Sequence, residues 1–160
     1  MNSLIPSQRG FTLVELMMTL AIAAILLTSG VPSFTTMIKN NRIAVVTNEA
    51  LGAFSYARTE AFKRGNNVHV AEVGANSSWV VWIDADNDDN WDQGEELRIW
   101  NNFPEGVSVT KLNNFIIFDS SGLANNVETV TICDDRSGEQ GSQLDLLLSG
   151  SISVSKINCG

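Results

Sequence analysis

The spacing of apolar residues changes twice along this chain, and each change marks a different kind of element. From Leu16 to Ile38 no side chain is charged. The run from Leu16 to Val31, with Phe11 to Leu13 before it, is long enough to cross the ~30 Å hydrocarbon layer as a helix. Gly30 and Pro32 are expected to loosen or kink that helix, because proline lacks a donor and crowds the preceding turn. After them Ile43, Val46, Ala50, Phe54, Ala57 and Ala61 recur at spacings of three and four, while Arg42, Asn48, Glu49, Arg58, Glu60 and Lys63 fall mostly elsewhere around the barrel. This is the pattern of an amphipathic helix that needs a partner surface. Continuous from Phe11 to about Lys63, the helix would be roughly 80 Å long. Gly65-Asn66-Asn67 should end it.

Beyond residue 66 the period shortens to two. Strands are expected at Val68 to Val73, Trp79 to Ile83, Glu96 to Trp100, Val107 to Leu112, Phe115 to Phe118, Glu128 to Cys133, Leu144 to Ser149 and Ile152 to Ile157. The alternation in Val107-Ser108-Val109 and Ile152-Ser153-Val154 implies sheets with one buried face. No βαβ rhythm, internal repeat or low-complexity tract is present, so a parallel nucleotide-binding fold is disfavoured. The fold class is therefore α+β: a long N-terminal helix, transmembrane over 11–31 and amphipathic over 32–65, packed on an antiparallel β-sheet domain over 66–160.

At 160 residues with 44% hydrophobic content, the chain has enough material for one genuine core. The formal net charge of -8 is unevenly placed. From residue 65 onward fifteen acids face only Arg98, Lys111, Arg136 and Lys156. That field repels phosphate, and nucleic-acid affinity rests on Lys and Arg neutralising phosphates, so nucleic acid is disfavoured as a partner.

Two cysteines occur, Cys133 and Cys159, far from the single histidine that a metal site would need. One disulfide in an oxidising compartment is the economical reading, stabilising by roughly 3 kcal/mol on the chain-entropy model. Two buried free thiols in a cytosolic domain are the alternative.

Arg9 precedes the apolar run and Lys39 and Arg42 follow it, so counting positive charges does not orient the helix. An ordinary secretory signal would be cut after Ala21-Ile22-Ala23. Against it, the apolar run continues through Ile25, Leu26 and Leu27, and a carboxylate, Glu15, lies near its start. An ionised carboxylate one turn inside a membrane helix is costly unless paired, so Glu15 is a functional candidate. A freed α-amino group at Phe11 lies about 6 Å away along the axis, and either this chain's terminus or a neighbour's could neutralise the acid. A solvated interfacial acid is the bland alternative.

Arg9-Gly10-Phe11-Thr12-Leu13-Val14-Glu15-Leu16 resembles the class III signal of type IV prepilins and pseudopilins. The resemblance implies a leader over 1–10, removed by a prepilin peptidase between Gly10 and Phe11, with methylation of Phe11. Glu15 then matches the acid at the fifth mature position, paired with a neighbouring subunit's terminus in a filament. Trp79-Val80-Val81-Trp82-Ile83-Asp84, Asp86-Asn87-Asp88 and Asp92-Gln93-Gly94-Glu95 resemble the minor pilin group that contains FimT, FimU and the type II secretion pseudopilin H. Thr131-Ile132-Cys133-Asp134 and the closing Cys159 fit the same group. The resemblance implies a pilin-like fold and a structural minor subunit of a type IV pilus or a type II secretion pseudopilus, priming or capping assembly. Implied partners are other pilins or pseudopilins and an inner-membrane assembly platform. The protein would span the bacterial inner membrane once, with its globular domain in the periplasm. Some members of the group that act in DNA uptake carry Gly-Arg-x-Arg on the last hairpin; here the stretch reads Gly150-Ser151-Ile152-Ser153, without either arginine.

Seven acids and no base fall between Asp84 and Glu96. Against a calcium loop, Asp84, Asp86 and Asp88 take the first, third and fifth places, Asn90 offers its carbonyl at the seventh, Asp92 stands at the ninth and Glu95 at the twelfth. Asp89 sits where such loops usually have Gly, though Asp tolerates left-handed geometry better than most residues. One structural calcium ion is a candidate, with a solvated hairpin loop as the plain alternative. A membrane-anchored calcium- or ligand-binding module that never polymerises is the competing class of function. No enzymatic constellation stands out: His69 reads as a packing or surface residue in a strand, and Ser120-Ser121-Gly122 reads as a turn.

Overall fold

The computed structural model describes residues 10–73, 78–86, 88–100, 103–110, 112, 115–136, 138 and 140–160, with the Ser29 side chain left aside. Helix α1 runs over Leu13–Arg64. Its start is set by Thr12, whose Oγ1 accepts the Glu15 N–H at 3.2 Å while its carbonyl accepts the Leu16 N–H at 3.1 Å. Thr12 is thus an N-cap, with Glu15 at the third helical position where an acid complements the helix dipole. The helix includes Pro32. Its last turn closes on Gly65, at φ +65°, whose N–H reaches the Ala61 carbonyl at 2.9 Å; a left-handed residue just past the end favours glycine.

The chain divides into two compact units between Ile38 and Lys39, where the charge-free run ends. In the first, the large apolar side chains from Leu13 to Ile38 are exposed, Leu16 at 53% and Leu26 at 67% among them. In the second, Ile43, Val46, Ala50, Phe54, Ala57 and Ala61 are buried, joined by Ala53 and Thr47. The small side chains on this stripe let the helix backbone approach the sheets. Glu60 was expected on the outer face but is 8% exposed, held by Arg64 at 2.7 Å and Lys63 at 3.2 Å. Those hydrogen bonds, Arg64's first, keep its carboxyl below the ordinary value of 4.5.

Among the described residues, eight strands form two antiparallel sheets. One has the order β3 (Glu96–Ile99), β2 (Ser78–Trp82), β1 (Val68–Val73), β5 (Ile116–Phe118). The other has the order β4 (Val107–Val109), β6 (Glu128–Asp134), β7 (Gln140–Leu146), β8 (Ile152–Asn158). Both turn one face to α1. Val68, Val70, Trp79, Val81, Ile116 and Phe118 from the first, and Val130, Ile132, Leu144 and Leu146 from the second, share one core with the buried helix stripe. Phe54 meets Trp79 edge-on at 5.2 Å, an arrangement that aromatic quadrupoles favour.

Strand β7 lies earlier than expected, at 140–146 rather than 144–149. Leu147 and Gly150 instead make the turn into β8, with the Gly150 N–H on the Leu147 carbonyl at 2.8 Å and Gly150 at φ +71°. Gly141, which reads as a strand breaker, sits inside the strand because a Cβ there would collide with Cys159 Sγ and the Ile132 carbonyl. Strand β4 stops at Val109 rather than Leu112.

Cys133 and Cys159 form a disulfide with Cα atoms 5.9 Å apart, joining β6 to the residue after β8. At the other end of the domain, Arg58 on α1 donates to the Gly122 carbonyl at 3.0 Å and the Ser149 carbonyl at 3.1 Å, so one guanidinium ties two turns to the helix. Where α1 enters the domain, Lys39 bonds Asp135 at 2.7 Å and Arg42 donates to the Glu105 carbonyl at 3.0 Å.

Candidate functional site

Gly10 and Phe11 precede the helix and both are exposed, so the bond between them is accessible. Glu15 lies one turn inside α1, also exposed. Helix α1 holds an 18-residue window of mean hydropathy 2.0 with none of it buried, near the N-terminus. An apolar helix segment in this state needs either lipid or other apolar helices around it.

The expected cation loop is only partly gathered. Asp84, Asp86 and Asp88 each bring a carboxylate oxygen within 4.8 Å of the others. Desolvation first, then the charges of Asp88 and Glu95, hold the Asp86 carboxyl above its ordinary value. Of the remaining members, Asn90 and Glu95 make contacts within the hairpin itself. The Asn90 carbonyl accepts the Trp82 indole N–H at 3.2 Å. Glu95 turns back on the loop, accepting the Ala85 N–H at 2.8 Å and the Asp92 N–H at 3.2 Å. Asp92 is exposed and its carbonyl accepts the Glu95 N–H at 3.2 Å. Asp84 accepts the N–H groups of Asp88 and Asp89 at 3.3 and 3.0 Å. Asp89, at φ 61°, is left-handed, as its place in the loop demands. Asn87 lies outside the described residues.

This loop folds over the outer face of the first sheet. Strand alternation sends Val68 and Val70 to the core and His69 to the other side, opposite Trp82 across the β1–β2 ladder. The His69 ring stacks on Trp82 at 5.2 Å and meets Phe115 at 5.2 Å. It is 5% exposed, and its Nδ1 is buried with no hydrogen-bond partner among the described residues. Burial keeps the imidazole below its ordinary pKa of 6.5, against the opposing pull of Asp84, Asp89 and Glu95. A cavity of about 650 Å³ lies there, lined by His69, Ile83, Asp84, Asp89 and Ile117 among others. The linear pattern placed His69 in a strand but carried no sign that the loop would return over it.

Ser120-Ser121-Gly122 is a turn. Asp119 Oδ1 accepts the Ser121 N–H, its hydroxyl and the Leu123 N–H at 2.8, 2.6 and 3.0 Å.

Profiles of known families decide the grouping. Residues 46–151 match the family described as type II transport protein GspH. The chain belongs to the GspH family. Residues 5–31 match the prokaryotic N-terminal methylation motif, the segment that holds Gly10, Phe11 and Glu15. This pseudopilin family is structural and non-enzymatic. A search of curated proteins returns no match. Among solved structures, two crystal forms of the type IV minor pilin FimU from Pseudomonas aeruginosa (strain PAO1) resemble this GspH-family chain. The first is 16% identical, with a TM-score of 0.63 over 74% of this chain and 92% of that one. The second is 15% identical, with a TM-score of 0.53 over 75% and 91%. At that identity the likeness speaks to the fold.

Proposed function

We propose that this GspH-family chain is a minor subunit of a type II secretion pseudopilus, cut between Gly10 and Phe11, methylated on Phe11, and assembled with other pseudopilins from the inner membrane. The observation that carries this reading is a lone acid, Glu15, in the first turn of a helix whose following apolar side chains are exposed. Packing of those side chains against neighbouring helices, in place of lipid, supplies the association through close van der Waals contact. Glu15, paired with a neighbour's α-amino group, selects the register, because any other register leaves a carboxylate unpaired in an apolar bundle. The subunit primes or caps the filament, and its β-domain stays on the periplasmic side.

The test is Glu15→Ala in cells that assemble the filament. The variant should still fractionate with the inner membrane but be missing from sheared filaments. Wild-type incorporation would favour instead a membrane-anchored module that never polymerises. N-terminal sequencing checks the processing separately: methyl-Phe11 supports the scheme, whereas a start at Ala24 points to ordinary secretion.

A type IV pilus is the second home, supported by the fold likeness to FimU. Deleting the gene and scoring exoprotein release, twitching and DNA uptake side by side separates the two. For the acidic loop, the convergence of Asp84, Asp86 and Asp88 supports one structural calcium ion. Calcium titration of the full chain with no heat and no thermal shift would retire that part of the reading.

A further inference from the structure

We propose a zinc-type cation site on the outer face of the first sheet, made by His69 of β1 with Asp84 and Asp89 of the β2–β3 loop. One ligand atom from each of the three lies within 4.8 Å of the others. Tetrahedral zinc, with ligand bonds of about 2.0–2.2 Å, places its ligand atoms roughly 3.4 Å apart. From separations of at most 4.8 Å the three groups need close by little more than an ångström at most, shared between Asp84 and Asp89 on its exposed loop.

A cluster of acids alone would carry no such assignment. The independent observation is His69: nine-tenths buried and more, lining the same cavity as the two carboxylates, with Nδ1 unpartnered among the described residues. A buried polar nitrogen without a partner is unfavourable, and native structures rarely leave one without a reason. Cation coordination through Nδ1 relieves it and fixes the ring's tautomer. Asp84 is already oriented by the N–H groups of Asp88 and Asp89, the kind of outer contact that fixes a ligating carboxylate. Trp82 stacks under the imidazole while its indole N–H holds the Asn90 carbonyl, so the ring and the loop that covers it share one anchor.

The donor set separates this site from a calcium loop. One imidazole with two carboxylates suits zinc and its neighbours, whereas calcium takes oxygen ligands in larger number. Asp86, Asp88, Asn90, Asp92 and Glu95 are not required. Water or a polar group from a neighbouring subunit would complete four-coordination.

His69 is the only histidine, which makes the test clean. The full chain in detergent micelles is titrated with Zn²⁺, following the imidazole nitrogen resonances by NMR and the thermal midpoint. Zinc should move the resonances and raise the midpoint. His69→Gln should abolish the midpoint shift. Asp89→Asn, which keeps the left-handed backbone tolerable, should weaken zinc by at least about tenfold, the lower end even for outer-shell changes. Asp86→Asn should leave zinc binding unchanged. Imidazole resonances that stay still under zinc, or an undiminished shift in His69→Gln, would overturn the site. If His69→Gln does not fold, Asp89→Asn decides: undiminished zinc affinity in that variant rejects the proposal.

Discussion

The two halves of α1 are one helix in backbone terms and opposites in their surroundings. From Leu13 to Ile38 the apolar side chains are exposed, and from Ile43 to Ala61 one stripe is almost wholly buried. Helical backbone geometry cannot account for this, because both halves are α-helix. The difference lies in how the apolar residues are distributed. The first half is apolar all round, so no single surface of the chain could cover it. The second is apolar on one stripe, narrow enough for two sheet faces to cover. Stability of the domain should therefore depend on the second half alone, and assembly on the first.

The strongest way to break this comparison is Glu15→Ala, expected to eliminate the subunit from sheared filaments while leaving the thermal midpoint of the domain unchanged. A lowered midpoint would mean that the first half also supports the domain. Phe54→Ala in the second half is the converse. It removes a buried ring from the core and should destabilise the domain by about 3–5 kcal/mol, with membrane retention intact, as read by denaturant unfolding and fractionation. Leu26→Ala is its control and should not change domain stability.

Replacing both cysteines with serine should cost roughly 3 kcal/mol, because the closed loop restricts the unfolded chain. Gly141→Ala should destabilise by about 1–3 kcal/mol, since the added Cβ meets the Ile132 carbonyl as well as Cys159 Sγ. If Gly141→Ala is harmless when the disulfide is absent, the sulfur is the obstacle; if still harmful, the backbone is.

The smallest expected effect is a pH dependence from Glu60. Its folded pKa lies below the unfolded value, so its contribution is present above about pH 4.5 and is lost as pH falls through the folded value. Glu60→Gln should flatten that acid limb of the thermal midpoint without altering membrane retention.

The helical stripe was legible because its members repeat at three and four, and the structure buries each of the six named. The β1 strand was legible from β-branched residues bounded by Asn and Gly. Strand β7 was expected at Leu144 to Ser149, a span that takes in Leu147 and Leu148, and lies at Gln140–Leu146. In the fold, both leucines are half exposed at a turn, and the glycine at position 141 is required by Cys159 Sγ and the Ile132 carbonyl packed against it. Local propensity cannot see a sulfur that arrives from residue 159. The carboxylates of the loop were legible as a donor list, but their use was not. Glu95 and Asp84 accept N–H groups of the loop itself, a use that depends on how the loop is folded and leaves no mark in its spacing.

What the amino-acid order determined by itself was set over short distances: a charge-free apolar run just after one acid, an amphipathic continuation, an N-terminal methylation motif, and a β-rich half. Periodicity and charge act within a few residues of themselves, so a linear reading captures them. The tertiary structure decided what meets across long separations. It brought His69 under a loop whose facing carboxylates lie fifteen and twenty residues away, set Arg58 against turns at Gly122 and Ser149, and put Gly141 under the disulfide. Those contacts follow from which sheet faces pair with the helix, and that choice is made by the whole core at once.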